Sequence, residues 1–256
     1  MWPNKENLII TKKTLDHYLK NLAKEYRKSA GRGLPGEIIL TGGAAVLVEY
    51  GFREMTYDVD AIILAGSAMK DAIALVSDRH NLPYGWLNMD FMQTASYSNK
   101  LREVSVYYKT FSNVLTIRMV TGEYLVAMKL VSGRRYKNDL SDIVGILWEH
   151  QKRGAPIAKE AVEKAIGRLY GKDTTIPETS AQLLEHLFDL KDYELLYRKI
   201  RDSEIEAKGL LLEFDSEYPD LLKGENVDVI LDSLKGKGDG VDKQTLLDEL
   251  KKRTKQ

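Results

Sequence analysis

The stretch Ile39 to Leu64, ILTGGAAVLVEYGFREMTYDVDAIIL, limits what this chain can fold into more than any other, because one short unit must hold a glycine pair and an Asp-x-Asp pair. Ile38, Ile39 and Leu40 predict a short buried strand, Gly42 and Gly43 the turn after it, and Ala44 to Tyr50 the opening turns of an apolar helix. Glycines at a helix start let backbone N–H groups approach an anion closely, and the helix dipole favours negative charge there. Thr56 to Leu64 predicts a second strand, which puts Asp58 and Asp60 on one face of it. Two converging carboxylates repel each other unless a cation lies between them. Magnesium suits the position, since it takes oxygen ligands and bridges carboxylates to phosphates.

Each half of the pattern has a plainer reading. A glycine pair before a helix is commonly only a tight turn, and Asp-x-Asp is commonly a solvated strand edge. The combination carries more weight, because aspartate is depleted in strands and these two adjoin the apolar residues Val59, Ala61, Ile62, Ile63 and Leu64. A partly buried carboxylate without a partner is costly.

Composition removes several classes of function. The 256 residues hold no cysteine, which excludes disulfides, thiolate zinc sites and a cysteine nucleophile. Lysine plus arginine number 38, as do aspartate plus glutamate, so no global charge argues for nucleic acid or an anionic membrane. His17, His80, His150 and His186 lack ligand spacing. The first residues, MWPNKENLIITKKTLDHYLK, read as neither signal peptide nor anchor, and no apolar run reaches membrane-spanning length, so a cytoplasmic location is expected.

Along the chain, Thr11 to Lys28 spaces Leu15, Tyr18, Leu19, Leu22 and Tyr26 as an amphipathic helix, and Ser67 to His80 predicts another. Leu82 to Asp90 is loop-like around Trp86, with Asn88 as a capping residue. Glu103 to Tyr108 and Val114 to Val120 predict strands. Thr121 is a suitable N-cap for a helix over Gly122 to Ser132 that is apolar nearly all round except for Lys129. That ammonium must either snorkel out or meet a negative partner such as a phosphate. Gly133 to Leu147 follows, with the basic patch Arg134, Arg135 and Lys137, and with Asp139 and Asp142 on one helix face. Ile157 to Tyr170 and a long stretch over Thr179 to Lys199 predict helices. Residues 236–240, GKGDG, fail an EF-hand reading because Lys235, Lys237 and Leu246 would fall at ligand positions, and read as a hinge between two short helices.

The order Gly42-Gly43, Arg53, Thr56 and Asp58-Val59-Asp60 resembles the nucleotidyltransferases of the DNA polymerase beta superfamily. Within them it is similar to the bacterial branch that includes the type IV toxins of abortive-infection systems and a related group of unknown function. Gly42-Gly43 stands where most of that superfamily has glycine-serine. The resemblance covers about residues 38–147 and implies an α+β fold, a mixed sheet flanked by helices, over 1–150, with a helical C-terminal region over 151–256. It implies transfer of a nucleoside monophosphate from an NTP to a hydroxyl acceptor. Asp58 and Asp60 would hold Mg2+, and Gly42, Gly43, Arg53, Thr56, Lys129, Arg134 and Arg135 would bind the nucleotide. Lys129 is carried over as the lysine near the triphosphate. Asp139 and Asp142 match the last motif, Asp139 being the stronger candidate for orienting or deprotonating the acceptor.

The sequence departs from the superfamily in one respect. The strand Val114 to Val120, where many members place a third carboxylate, has none, and Glu103 on the preceding strand is the nearest substitute. A binding-only protein that holds a nucleotide or RNA end, and a module whose helical half docks a partner such as a cognate antitoxin, are therefore kept as alternatives. The acceptor is open between a tRNA end, a protein hydroxyl and a small molecule such as an aminoglycoside.

Overall fold

A computed structural model of the chain describes residues 9–190, 192–224 and 226–236. The first eight residues and most of the 236–240 hinge expected from the sequence lie outside the described residues. The chain folds as two compact units, one within Met1–Gly133 and Asp142–Tyr193, the other within Arg134–Ser141 and Glu194–Gln256.

The first unit is α+β, as expected. Five strands, β1 (Gly36–Leu40), β2 (Val59–Leu64), β3 (Leu87–Asn88), β4 (Ser105–Phe111) and β5 (Leu115–Val120), form a mixed sheet in the order β3-β2-β1-β5-β4. β1 is antiparallel to β2 and parallel to β5. Ile38, Ile39, Leu40, Ala61, Leu115 and Ile117 are buried, which is why these short apolar runs form central strands. Helix α1 (Lys12–Ala30) starts at a capping box, where Thr11 and Thr14 satisfy each other's backbone N–H groups, and it packs on α3 (Ala68–His80). Arg79 of α3 and Lys28 both bind the buried Glu25 of α1.

Two helices flank the sheet at the end of β1 and β5. Helix α2 (Gly42–Glu49) begins directly at Gly42, two residues earlier than the spacing predicts. Helix α4 (Gly122–Ser132) is buried at eight of its positions, Lys129 among them. Its N-cap, Thr121, makes no side-chain capping bond, and its buried hydroxyl has no hydrogen-bond partner among the described residues, contrary to the expectation of a good cap. At the other end Gly133 takes φ +52°, and a Cβ there would lie 2.7 Å from the Ser180 hydroxyl. Helices α5 (Asp139–Lys152), α6 (Lys159–Tyr170) and α7 (Glu178–Leu187) follow, and α6 and α7 pack on α4.

Three further expectations are corrected. Asp58 is not in a strand: β2 starts at Val59, and Asp58 lies in a bend whose carbonyl accepts the Thr56 hydroxyl at 3.1 Å. Thr56 instead forms an isolated bridge with Ile10. Glu103 likewise precedes its strand, at the end of a short 3-10 turn, exposed and within 3.8 Å of Arg168. The single long helix over 179–199 is two, α7 and then α8 (Tyr193–Glu217), interrupted where Phe188, Leu190 and Tyr193 line a cavity of about 420 Å³ with Leu147, Pro156 and Ile157.

Among the described residues the second unit contains residues 134–141, α8 from Glu194 onward and α9 (Val227–Leu234). Glu204 of α8 is 4% exposed and accepts the N–H groups of Leu140 (3.0 Å) and Ser141 (3.1 Å) and the Ser141 hydroxyl. It therefore caps the start of α5 from a distant helix, satisfying donors that the helix cannot satisfy internally. Arg201, one turn earlier on α8, donates to the Asn138 side chain. Among the described residues no helix is long and apolar enough to cross a membrane.

Candidate functional site

The end of β1 and the start of β2 are locked to each other at Thr41 and Asp60. The Thr41 N–H and its hydroxyl both donate to the Asp60 carbonyl, at 3.0 and 3.1 Å, continuing the antiparallel register of Leu40 with Ala61. This fixes the Asp60 side chain at the mouth of α2. A Cβ on Gly42 would sit 3.2 Å from Asp60 Oδ2, and Gly42 has φ +51°, so this position needs glycine on two counts. Sequence reasoning misses Thr41; a threonine directly ahead of the glycine pair is the available signal.

Gly43 faces the other wall. A Cβ there would lie 2.6 Å from an Arg53 guanidinium nitrogen and 3.0 Å from the Thr56 hydroxyl. Arg53 is held by its own loop, Nε donating to the Met55 carbonyl at 3.1 Å, and it extends to Asp142 of α5. The same oxygen, Asp142 Oδ2, accepts Lys129 Nζ at 2.7 Å. The three side chains are 13%, 7% and 4% exposed for Arg53, Lys129 and Asp142. Lys129 thus neither snorkels nor stands alone: a nearly all-apolar buried helix carries one ammonium, and a carboxylate on the neighbouring helix compensates it. Arg53 and Lys129 bring two cations and Asp142 one carboxylate to the neighbourhood of the α2 N-terminus, where Asp60 supplies a second carboxylate and the helix dipole favours an anion.

Seven of the residues singled out from the sequence are therefore linked through this arrangement: Gly42, Gly43, Arg53, Thr56, Asp60, Lys129 and Asp142. Asp58 adjoins it through its backbone bond to Thr56, and its carboxylate is exposed and has no hydrogen bond or ion pair among the described residues. Arg134, Arg135 and Asp139 belong to the second unit. Arg134 grips both oxygens of Asp139, Nε to Oδ2 at 2.8 Å and a terminal nitrogen to Oδ1 at 3.3 Å. Arg135 pairs with Asp232 at 2.7 Å, and that hydrogen bond raises its pKa further.

A family model described as nucleotidyltransferase of unknown function (DUF6036) matches residues 17–147, just over half of the 256-residue chain. The chain belongs to this family. No curated protein and no solved structure matches it. The part matched to the nucleotidyltransferase family runs from α1 into α5 and so contains every residue of the arrangement around α2.

Nucleotidyltransferase chemistry implies a divalent cation. Asp58 and Asp60 offer hard carboxylate oxygens two residues apart in sequence, Asp58 being solvent-facing, a chemistry that suits an ion that keeps waters and takes up substrate phosphates. They are a minimal set. Among the described residues no group of three or more His, Cys, Asp or Glu side chains could hold a metal. Across β1, the face of β5 on the same side of the sheet as Asp60 and Ile62 carries Thr116 and Arg118, and Arg118 donates to the Ser105 hydroxyl at 2.8 Å.

Proposed function

We propose that the chain transfers a nucleoside monophosphate from an NTP to a hydroxyl acceptor, using the mouth of α2 as the phosphate site. The observation that supports this most is the pairing of walls around one helix start: Asp60 against Gly42 on one side, and the Arg53 guanidinium, with Lys129 behind it through Asp142, against Gly43 on the other. Acids and cations separated by a glycine-headed helix suit a metal-bound triphosphate, with the backbone N–H groups of Gly42 and Gly43 donating to phosphate oxygens.

In this reaction the acceptor oxygen bonds to the α-phosphorus and the bond to the bridging oxygen breaks. Pyrophosphate departs with the electron pair, and the acceptor proton passes to water. Asp58 and Asp60 would hold Mg2+, which when bound offsets triphosphate charge and lines up the attacking oxygen. Arg53 and Lys129 would stabilise the charge that develops on the leaving pyrophosphate, a role that fixed cations in a water-poor site perform well. Asp139 is held by Arg134 on both oxygens, and Asp142 by two cations.

The test is to incubate the protein with each labelled NTP, Mg2+ and whole-cell RNA or lysate, and to follow label transfer together with pyrophosphate release. Asp58→Ala and Asp60→Ala are expected to abolish both. Full activity in either variant removes the metal assignment. The two-carboxylate set favours a second reading, in which the site binds a nucleotide without turning it over; Mg-dependent heat of binding with no pyrophosphate release would select it. That the chain acts as the toxin of a two-gene defence pair, with an antitoxin as partner, rests on sequence resemblance alone. Co-purification from the native host tests that step.

A further inference from the structure

We infer that Asp142 is a positioning residue: it neither accepts a proton nor holds a metal, but clamps Arg53 and Lys129 into one preset dication at the mouth of α2. The inference rests on the proposed nucleotide reading for its purpose, and on geometry alone for its existence. Arg53 comes from the loop after α2 and Lys129 from α4, so no local sequence relation brings them together. Both donate to the same atom, Asp142 Oδ2, the lysine at 2.7 Å. Each is nearly buried. Two like charges in a poorly solvated site repel strongly, and an anion shared between them offsets that repulsion. An oxygen that serves two cations is poorly placed to serve an acceptor hydroxyl as well.

The clamp also explains the glycine at position 43. With the guanidinium drawn toward Asp142, its other terminal nitrogen lies where a Cβ on residue 43 would be, 2.6 Å away. The carboxylate on α5 therefore dictates how closely a cation approaches the first turn of α2.

Charge counting and positioning make opposite predictions. Neutralising Asp142 makes the site more positive, so if the carboxylate only subtracts charge, Asp142→Asn binds tripolyphosphate or an NTP more tightly. If it is a clamp, Asp142→Asn binds at least tenfold more weakly, and Asp142→Glu, which keeps the anion, recovers part of the loss. Titration calorimetry with inorganic tripolyphosphate and with Mg-NTP reads this directly. A second readout needs no ligand and no change at Asp142: in the wild-type protein the Lys129 ammonium, assigned through Lys129→Met, should give a slowly exchanging 15N signal at neutral pH that exposed lysines lack. Unchanged or tighter binding in Asp142→Asn, or a Lys129 signal exchanging like that of a surface lysine, overturns the clamp. A wild-type protein that binds no triphosphate refutes the nucleotide reading instead, and the ammonium signal then decides the clamp.

Discussion

Single atoms set the tolerances at several glycines, and the contrast among them is testable. A Cβ on Gly122, the first residue of α4, would stand 2.5 Å from the Tyr50 hydroxyl and 2.7 Å from His150 Nε2. Those two groups hydrogen-bond each other at 3.1 Å, and burial raises the tyrosine pKa well above its usual value. Gly122→Ala forces this packed pair apart and should cost about 1–3 kcal/mol, the usual range for overpacking a core. Gly167, inside α6, has nothing within 4 Å of such a Cβ. Gly167→Ala should stabilise by about 0.4–1 kcal/mol through the unfolded chain. Thermal melts of the two variants check both signs. Equal effects would show that the close approach at Gly122 is readily absorbed. The same reasoning separates Asp58 from Asp142: the first is exposed and replaceable without unfolding, the second is nearly buried and paired with two cations, so its loss should cost stability.

At the level of elements, α1 and α3 are joined by an ion cluster with a defined pH signature. Arg79 and Lys28 hold the Glu25 carboxyl below its usual range. A depressed folded-state value means the contribution is complete above the unfolded value near 4.5 and fades as pH falls through the folded one. Acid unfolding of Glu25→Gln should therefore show less loss of stability below about pH 4.5 than the wild-type protein. An identical acid profile removes the cluster as a contributor. These two helices are legible in the sequence because their apolar periodicity matches the burial the fold requires, and β1 and α4 because short apolar runs match full burial. Asp58 is misplaced by such a reading because apolar alternation cannot reveal that Thr56 spends its hydroxyl on the Asp58 carbonyl and breaks the strand there. The α7–α8 interruption carries no glycine or proline, and Leu183, Leu184, Leu187, Leu190 and Leu195 keep helical spacing across it. Phe188, Leu190 and Tyr193 around the interruption line a cavity together with Leu147 and Ile157, a tertiary relation that local pattern does not encode. In the site, the glycine and aspartate pairs are legible as types at a spacing, whereas the shared partner of Arg53 and Lys129 is not, since it joins positions 53, 129 and 142.

At the scale of the whole chain, neither compact unit is a continuous segment, because residues 134–141 group with the C-terminal helices while their flanks group with the sheet. Glu204, with Arg201 one turn earlier, ties that short segment to α8. Removing Glu204 takes its carboxylate from the first-turn N–H groups of α5, and Glu204→Ala should cost about 1.5–3 kcal/mol, as for hydrogen bonds to a charged group. Urea unfolding gives the loss, and amide exchange at Leu140 and Ser141 should quicken more than elsewhere in α5. Unaltered exchange there would show that water serves the helix start equally well. The separation of Ser141 and Glu204 by 63 positions also has a consequence during synthesis. At about 5–20 residues per second, a ribosome needs on the order of 3–13 s to reach the glutamate after making the serine. During that interval the nascent chain already carries its glycine pair and its aspartates, while the helix bearing Asp142 still waits for its cap.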